Sequence, residues 1–119
     1  MDAGDSAQQR GRQAEDLACR HLQRQGLRLI SRNWRCRRGE LDLVMLDGDT
    51  VVFVEVRYRR HNGWGGAIES IDWRKRQRLA IAAQLFLQSE TRWASKPCRF
   101  DVVTLGHGRS DWIRNAFEI

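Results

Sequence analysis

The sequence predicts a mixed α/β domain: a helix, a three-strand antiparallel meander, a second helix, a fourth strand and a short C-terminal edge strand. Three observations carry this. Apolar residues recur at helical spacing in two stretches, about 8–25 and about 72–89. Between them lie two short apolar runs, Leu41-Asp42-Leu43-Val44-Met45-Leu46 and Val51-Val52-Phe53-Val54-Glu55-Val56, of strand length. The residues separating these runs, Asp47-Gly48-Asp49-Thr50, have the chemistry of a tight hairpin turn.

The polar residues 1–7 are expected to be flexible. In the first helix Ala14, Leu17, Ala18 and Leu22 form the apolar stripe, and Gly26 follows as its C-cap. At 100° per residue Glu15 projects within about 20° of Leu22, on the edge of that stripe. Two readings stand for it: a boundary carboxylate paired with a nearby arginine, or an acid directed at the sheet. Strands follow at about 27–35, 40–46 and 51–58, with the Arg38-Gly39 step turning the first into the second. The glycine-rich segment 61–70, with His61-Asn62-Gly63-Trp64-Gly65-Gly66, then leaves the third strand as a mobile loop.

The second helix carries Leu79, Ala82, Ala83 and Phe86 as its buried stripe. Lys75, four residues before Leu79, continues the stripe by one turn, so it either snorkels or meets an acid or a phosphate. After Pro97, residues 99–105 read as the fourth strand, and Gly106-His107-Gly108 turns the chain into an edge strand near 112–117.

At 119 residues and 41% hydrophobic, the chain is expected to form one domain, 1–119, whose core needs no disulfide. Its formal charge of +6 suits an anionic partner, and equally serves solubility. Only Lys75 and Lys96 are lysines, so nineteen of the 21 basic residues are arginine, a bias that base composition alone can produce. Cys19, Cys36 and Cys98 show no metal-ligand spacing and read as reduced thiols. With neither a signal peptide nor an apolar run of spanning length, a cytoplasmic protein without membrane contact is expected. His21, His61 and His107 are not spaced as ligands, and neither a Ser/His/Asp order nor a phosphate-binding G-x-x-x-x-G-K-[ST] loop is present.

Asp42 and Glu55 are the anomaly. An ionised carboxylate taken out of water costs several kcal/mol unless a cation, a metal or hydrogen-bond donors compensate it. If Asp47 pairs with Thr50 around the turn, Asp42 falls opposite Glu55, and Glu40, Asp42 and Val44 share a face with Phe53, Glu55 and Arg57. A three-residue loop would break this parity. Like charges directly opposed are destabilising unless neutralised, here by a divalent cation or by Arg57.

This order of elements, with an acid at Asp42 and Glu55-Val56-Arg57 on the next strand, resembles the PD-(D/E)XK nuclease fold, a restriction-endonuclease-like core. More closely, the chain is similar to the YraN family of uncharacterised bacterial proteins, held to share that fold. The landmarks lie between about residues 10 and 105: Gly11-Arg12-Gln13-Ala14-Glu15, Arg32-Asn33, Gly39-Glu40-Leu41-Asp42-Leu43, Phe53-Val54-Glu55-Val56-Arg57, Lys75 and Arg99-Phe100-Asp101-Val102-Val103. The resemblance implies a catalytic site of Asp42, Glu55, Arg57 and Glu15, with Asp42 and Glu55 ligating Mg²⁺ or Mn²⁺ and Glu15 assisting from the first helix.

One departure matters: the family pattern expects lysine where Arg57 stands. Arginine keeps the electrostatic role of a lysine but does not exchange its proton. A metal can supply the acidity that is lost. Otherwise Arg57 displaces the attacking water, or it is a neutral exchange in an arginine-rich chain.

Arg35, Arg37, Arg38, Arg59, Arg60, Arg74, Lys75 and Arg76 cluster beside the strand ends and the second helix, where they can track a nucleic-acid backbone or simply form a solvated basic face. Trp64 either anchors its loop or stacks on an unpaired base. The expected function is a metal-dependent nuclease acting on nucleic acid, DNA first, with a homodimer as a possible assembly. The alternatives are a non-catalytic nucleic-acid-binding module of the same fold, in which Arg57 neutralises the acidic pair, and a protein-binding adaptor.

Overall fold

The computed structural model of the protein describes residues 7–58, 71–106 and 108–118. The first apolar stripe forms α1 (Ala7–Arg24), which buries Ala14, Ala18, Cys19 and Leu22. Leu17, counted in that stripe from the sequence, is instead 49% exposed. The second stripe forms α2 (Trp73–Ser89) and buries Leu79, Ala82, Ala83 and Phe86 as expected. Asp72 caps α2, its side chain accepting from the Lys75 N–H at 2.9 Å. That bond satisfies one of the orphan donors of the first turn and fixes where Lys75 starts.

Among the described residues five strands form one sheet in the order β1 (Arg28–Cys36), β2 (Gly39–Asp47), β3 (Thr50–Tyr58), β4 (Cys98–Gly106) and β5 (Arg109–Phe117). Neighbours are antiparallel except β3 and β4, which are parallel and joined by a connection containing α2. A parallel pair needs such a crossover, whereas the β2–β3 hairpin closes on two residues. Gly48 takes φ 61° there, as the first central residue of a two-residue hairpin turn requires. β5 is the expected edge strand but runs nine residues, longer than 112–117. Its polar start, Arg109-Ser110-Asp111, lacks the apolar alternation by which a strand is recognised.

Each face of the sheet carries a helix. Ala14, Ala18 and Leu22 of α1 pack on Leu43, Met45, Val52, Val54 and Val103. On the other face Leu79, Ala82 and Phe86 of α2 pack on Val44, Val51, Phe53 and Val102. Coverage on both sides explains why β2 and β3 read as almost continuous apolar runs.

The expectations for the N-terminal residues before Ala7, for the 61–70 loop with Trp64, and for Arg59, Arg60, His61 and His107 lie outside the described residues. Among the described residues Cys19, Cys36 and Cys98 are free thiols, and no helix is long and apolar enough to cross a membrane.

Candidate active site

The β2–β3 ladder runs from Asp47 opposite Thr50 to Leu43 opposite Val54, the register expected from the turn. Asp42 and Glu55 come next, and here the ladder opens. The Val56 N–H donates to an Asp42 carboxylate oxygen at 2.9 Å, so a side chain takes over a β3 donor where the ladder stops. Strict alternation also fails at this point. Leu41 packs in the α2 core and Leu43 in the α1 core, although they are two residues apart. The neighbouring strand switches faces in step: Arg32 pairs with Asp16 of α1 at 2.6 Å, while Trp34 packs on the α2 side. Between them Asn33 sits at φ 53°, in the left-handed region that asparagine tolerates better than most residues. The faces of β1 and β2 thus switch together at Asn33 and Asp42, while their register is kept on either side, with Arg32 opposite Leu43 and Trp34 opposite Leu41.

Glu55 is 5% exposed and Asp42 partly buried. Burial pushes the Glu55 carboxyl up to about 8, and the nearby Asp42 charge pushes in the same direction, against Lys75 and Arg57. Asp42 is also raised by burial, with the Val56 N–H opposing it. A hydrogen bond between the two carboxyl groups raises the pKa of Glu55 and lowers that of Asp42. Two cations close the site: Arg57 Nη2 and Lys75 Nζ each lie 3.4 Å from Glu55 Oε2. Lys75 thus reaches the acidic pair from α2. The other oxygen, Glu55 Oε1, is buried and has no donor among the described residues.

Glu15 is half-buried on the α1 side. Burial and the Asp42 charge raise its pKa, while a hydrogen bond from Asn33 lowers it. Its Oε1 is a second buried oxygen without a partner among the described residues. Among the described residues no three Asp, Glu, His or Cys side chains converge as a ready-made metal cluster. The arrangement is therefore an acidic pair with a third carboxylate close by. A hard divalent cation fits that donor set, because buried carboxylate oxygens that lack donors are what it coordinates.

Asp42, Glu55 and Glu15 open into a cavity of about 440 Å³ whose wall includes Arg10 and Gly11 of α1. Gly11 lies in a helix, where glycine costs about 1 kcal/mol relative to alanine, and a Cβ there would meet nothing within 4 Å. Packing gives no reason for it. Gly11→Ala is expected to stabilise the fold by about 1 kcal/mol, measured as a rise in the urea midpoint at unchanged slope.

Arg35, Arg37, Arg38 and Arg74 are exposed, and Arg35 pairs with Glu40 at 3.4 Å. Arg76 turns inward instead, its Nε donating to the Ile71 carbonyl at 2.9 Å and its guanidinium lying 5.1 Å from the Phe117 ring centre.

Asp101, in the landmark Arg99-Phe100-Asp101-Val102-Val103, is a third carboxylate in an apolar run, with the same burial cost as Asp42. It is wholly buried, but both of its oxygens are occupied. Oδ1 accepts from Arg99 Nε at 3.0 Å and the Asn115 N–H at 2.8 Å, and Oδ2 from Trp112 Nε1 at 2.9 Å and Arg99 Nη2 at 3.2 Å. Asp101 is a structural anchor. Glu55 Oε1, unpartnered among the described residues, is what sets the other pair apart.

The protein is thus a two-faced α/β domain with a buried acidic pair, bracketed by two cations, at an opened hairpin. It belongs to the uncharacterised protein family UPF0102, whose model matches residues 14–105. The UPF0102 protein of Pseudomonas aeruginosa strain LESB58 is 67% identical, covering 99% of each chain. Its counterpart in Pseudomonas fluorescens is 66% identical over 95% of this chain and 96% of its own. That of Stutzerimonas stutzeri is 66% identical over 94% and 97%.

Proposed function

We propose that the protein is a metal-dependent nuclease, in which Asp42 and Glu55 hold Mg²⁺ or Mn²⁺ against a phosphodiester of DNA or structured nucleic acid. The observation that carries this reading is the buried Glu55 Oε1 beside Asp42, without a donor among the described residues, in a cavity where the β2–β3 ladder ends. The resemblance of the element order to PD-(D/E)XK nucleases supports it. When bound, the metal would polarise the phosphate and acidify the attacking water.

The chain's own residues do the rest. Asp42 is oriented by the Val56 N–H. Glu15 is held by Asn33 near Asp42, where it can accept a hydrogen bond from a water. Lys75 and Arg57 bring two positive charges to the site, where negative charge would develop on the phosphoryl oxygens. Lys75 answers the absence of a lysine at position 57: the ammonium arrives from α2, with its backbone fixed by the Asp72 cap. Lys75→Ala is expected to lower cleavage about 10²–10³-fold, and Arg57→Lys to change it far less. Single-turnover rates on one substrate measure both. Equal losses in the two variants would remove Lys75 from this role.

The overall test is cleavage of junction, flap, single-stranded and RNA substrates with Mg²⁺ or Mn²⁺, beside Asp42→Ala and Glu55→Ala. Activity lost in both variants supports the reading, and activity that persists in both comes from a contaminant and ends it. One observation favours a second reading, a non-catalytic nucleic-acid-binding module: Arg57 and Lys75 already neutralise the acidic pair without a metal. That reading expects nucleic-acid binding with no cleavage by the wild type, and no change in melting temperature on adding Mg²⁺.

A further inference from the structure

Tyr58, the last residue of β3, lines two cavities at once. On one side is the acidic cavity, and on the other a cavity of about 570 Å³ between α1 and the turn joining β4 to β5. Its wall brings together Leu17, His21, Arg24, Arg109 and Ser110. Leu17 is 49% exposed and Tyr58 63% exposed, and both line this space, where among the described residues apolar and aromatic surface is left uncovered. Arg24 and Arg109 add two permanent positive charges to the same wall. The pairing of Arg109 with Asp111 at 3.5 Å is an exposed one of little energetic weight.

His21 is held in place: its Nδ1 hydrogen-bonds the Ser110 hydroxyl, and Trp112 packs edge-on at 6.5 Å between ring centres. An aromatic face beside fixed positive charge complements a nucleotide, whose base stacks and whose phosphate pairs. The volume lies within the roughly 300–1,000 Å³ of small-ligand sites and admits a nucleotide, not a duplex.

We propose that this cavity is a subsite for one unpaired nucleotide, with Tyr58 stacking on its base and Arg24 and Arg109 holding its phosphate, while the adjoining phosphate lies at the acidic pair. The inference rests on the nuclease reading and narrows its substrate to single-stranded stretches, free or within a flap or junction. Because Tyr58 belongs to both walls, a strand that crosses it presents consecutive phosphates to the two cavities.

The test is fluorescence anisotropy with the full chain, in EDTA and at low salt, using a labelled twelve-nucleotide single strand and the duplex of the same length. The single strand is expected to bind more tightly. Tyr58→Ala should weaken it about tenfold and leave the duplex unchanged, and Tyr58→Phe should restore it. Arg24→Ala should reduce the slope of log affinity against log salt by about 0.7. Melting curves establish that the variants fold.

Equal binding of strand and duplex, or an unchanged affinity in Tyr58→Ala, overturns the subsite. If the wild type still cleaves in that case, the nuclease reading survives alone. Strand binding that depends on Tyr58, without cleavage of any substrate, supports the subsite and removes the nuclease. An absence of binding to either oligonucleotide overturns both.

Discussion

Glu55→Gln is expected to abolish divalent-cation-dependent cleavage and, in the same protein, to raise the melting temperature measured at pH 8 in EDTA. Both effects follow from one feature, a carboxylate held where ionising it is unfavourable. An unfolded glutamate loses its proton near the ordinary value of 4.5, whereas folded Glu55 keeps it up to about 8. Between those values the unfolded state sheds a proton that the native state retains. Stability is therefore fully present below about pH 4.5, falls as pH rises through the window, and levels off above about 8. Asp42, raised as well, adds to the same trend.

Glutamine keeps the shape and removes the charge, at a site where Lys75 still has the Asp42 charge nearby. A gain of about 1–2 kcal/mol at pH 8 is expected, or roughly 4–8 °C in a chain of this length. Mg²⁺ should do for the wild type what glutamine does for the variant. It should raise the melting temperature at pH 8 and much less at pH 5, where protons hold the site, and leave Glu55→Gln unmoved. Differential scanning fluorimetry over a pH series reads all of this. A variant that is less stable at pH 8, or that still cuts, would mean that Glu55 serves the fold and not a metal.

How far the sequence reveals this site depends on the element. The meeting of Asp42 with Glu55 is legible because the two-residue turn sets the register from Asp47 opposite Thr50 to Leu43 opposite Val54 and so brings both acids to the end of that ladder. The opening of the ladder beyond Leu43 is not, because it needs Asn33 at φ 53° in one strand and a matching switch of faces at Asp42 in the next. Asparagine permits that conformation without demanding it. Lys75 is half legible: its helical phase points it at the sheet, but only the Asp72 cap and the packing of α2 bring Nζ to 3.4 Å from Glu55. The second cavity is not legible at all. Leu17 follows the phase of a core residue, and its exposure arises because the wall of α1 next to Tyr58 has nothing packed over it among the described residues.

Asp101→Asn should move stability in the opposite direction, by a loss of about 3–5 kcal/mol, the typical result of breaking a buried ion pair by removing one partner. Asp101 holds three parts of the protein together. It accepts from Arg99, which also binds Asp47 at 2.9 Å at the β2–β3 turn, from the Trp112 indole, and from the Asn115 N–H on β5. Asparagine offers one acceptor oxygen where two are used, and turns an amide donor toward groups that themselves donate. Such a loss is a large fraction of the 5–15 kcal/mol that holds a typical domain folded, and urea unfolding at pH 7 measures it. Arg99→Met should cost a comparable amount, and the double variant Arg99→Met/Asp101→Asn less than the sum, because one network is broken twice. Both Glu55 and Asp101 are carboxylates buried in apolar strands, so burial alone does not separate a site from an anchor. The sign of the stability change does: neutralising the anchor weakens the fold, and neutralising the functional acid strengthens it. A loss under 1 kcal/mol at Asp101 would show that its donors are readily re-satisfied, and would remove the contrast that assigns Glu55 to function.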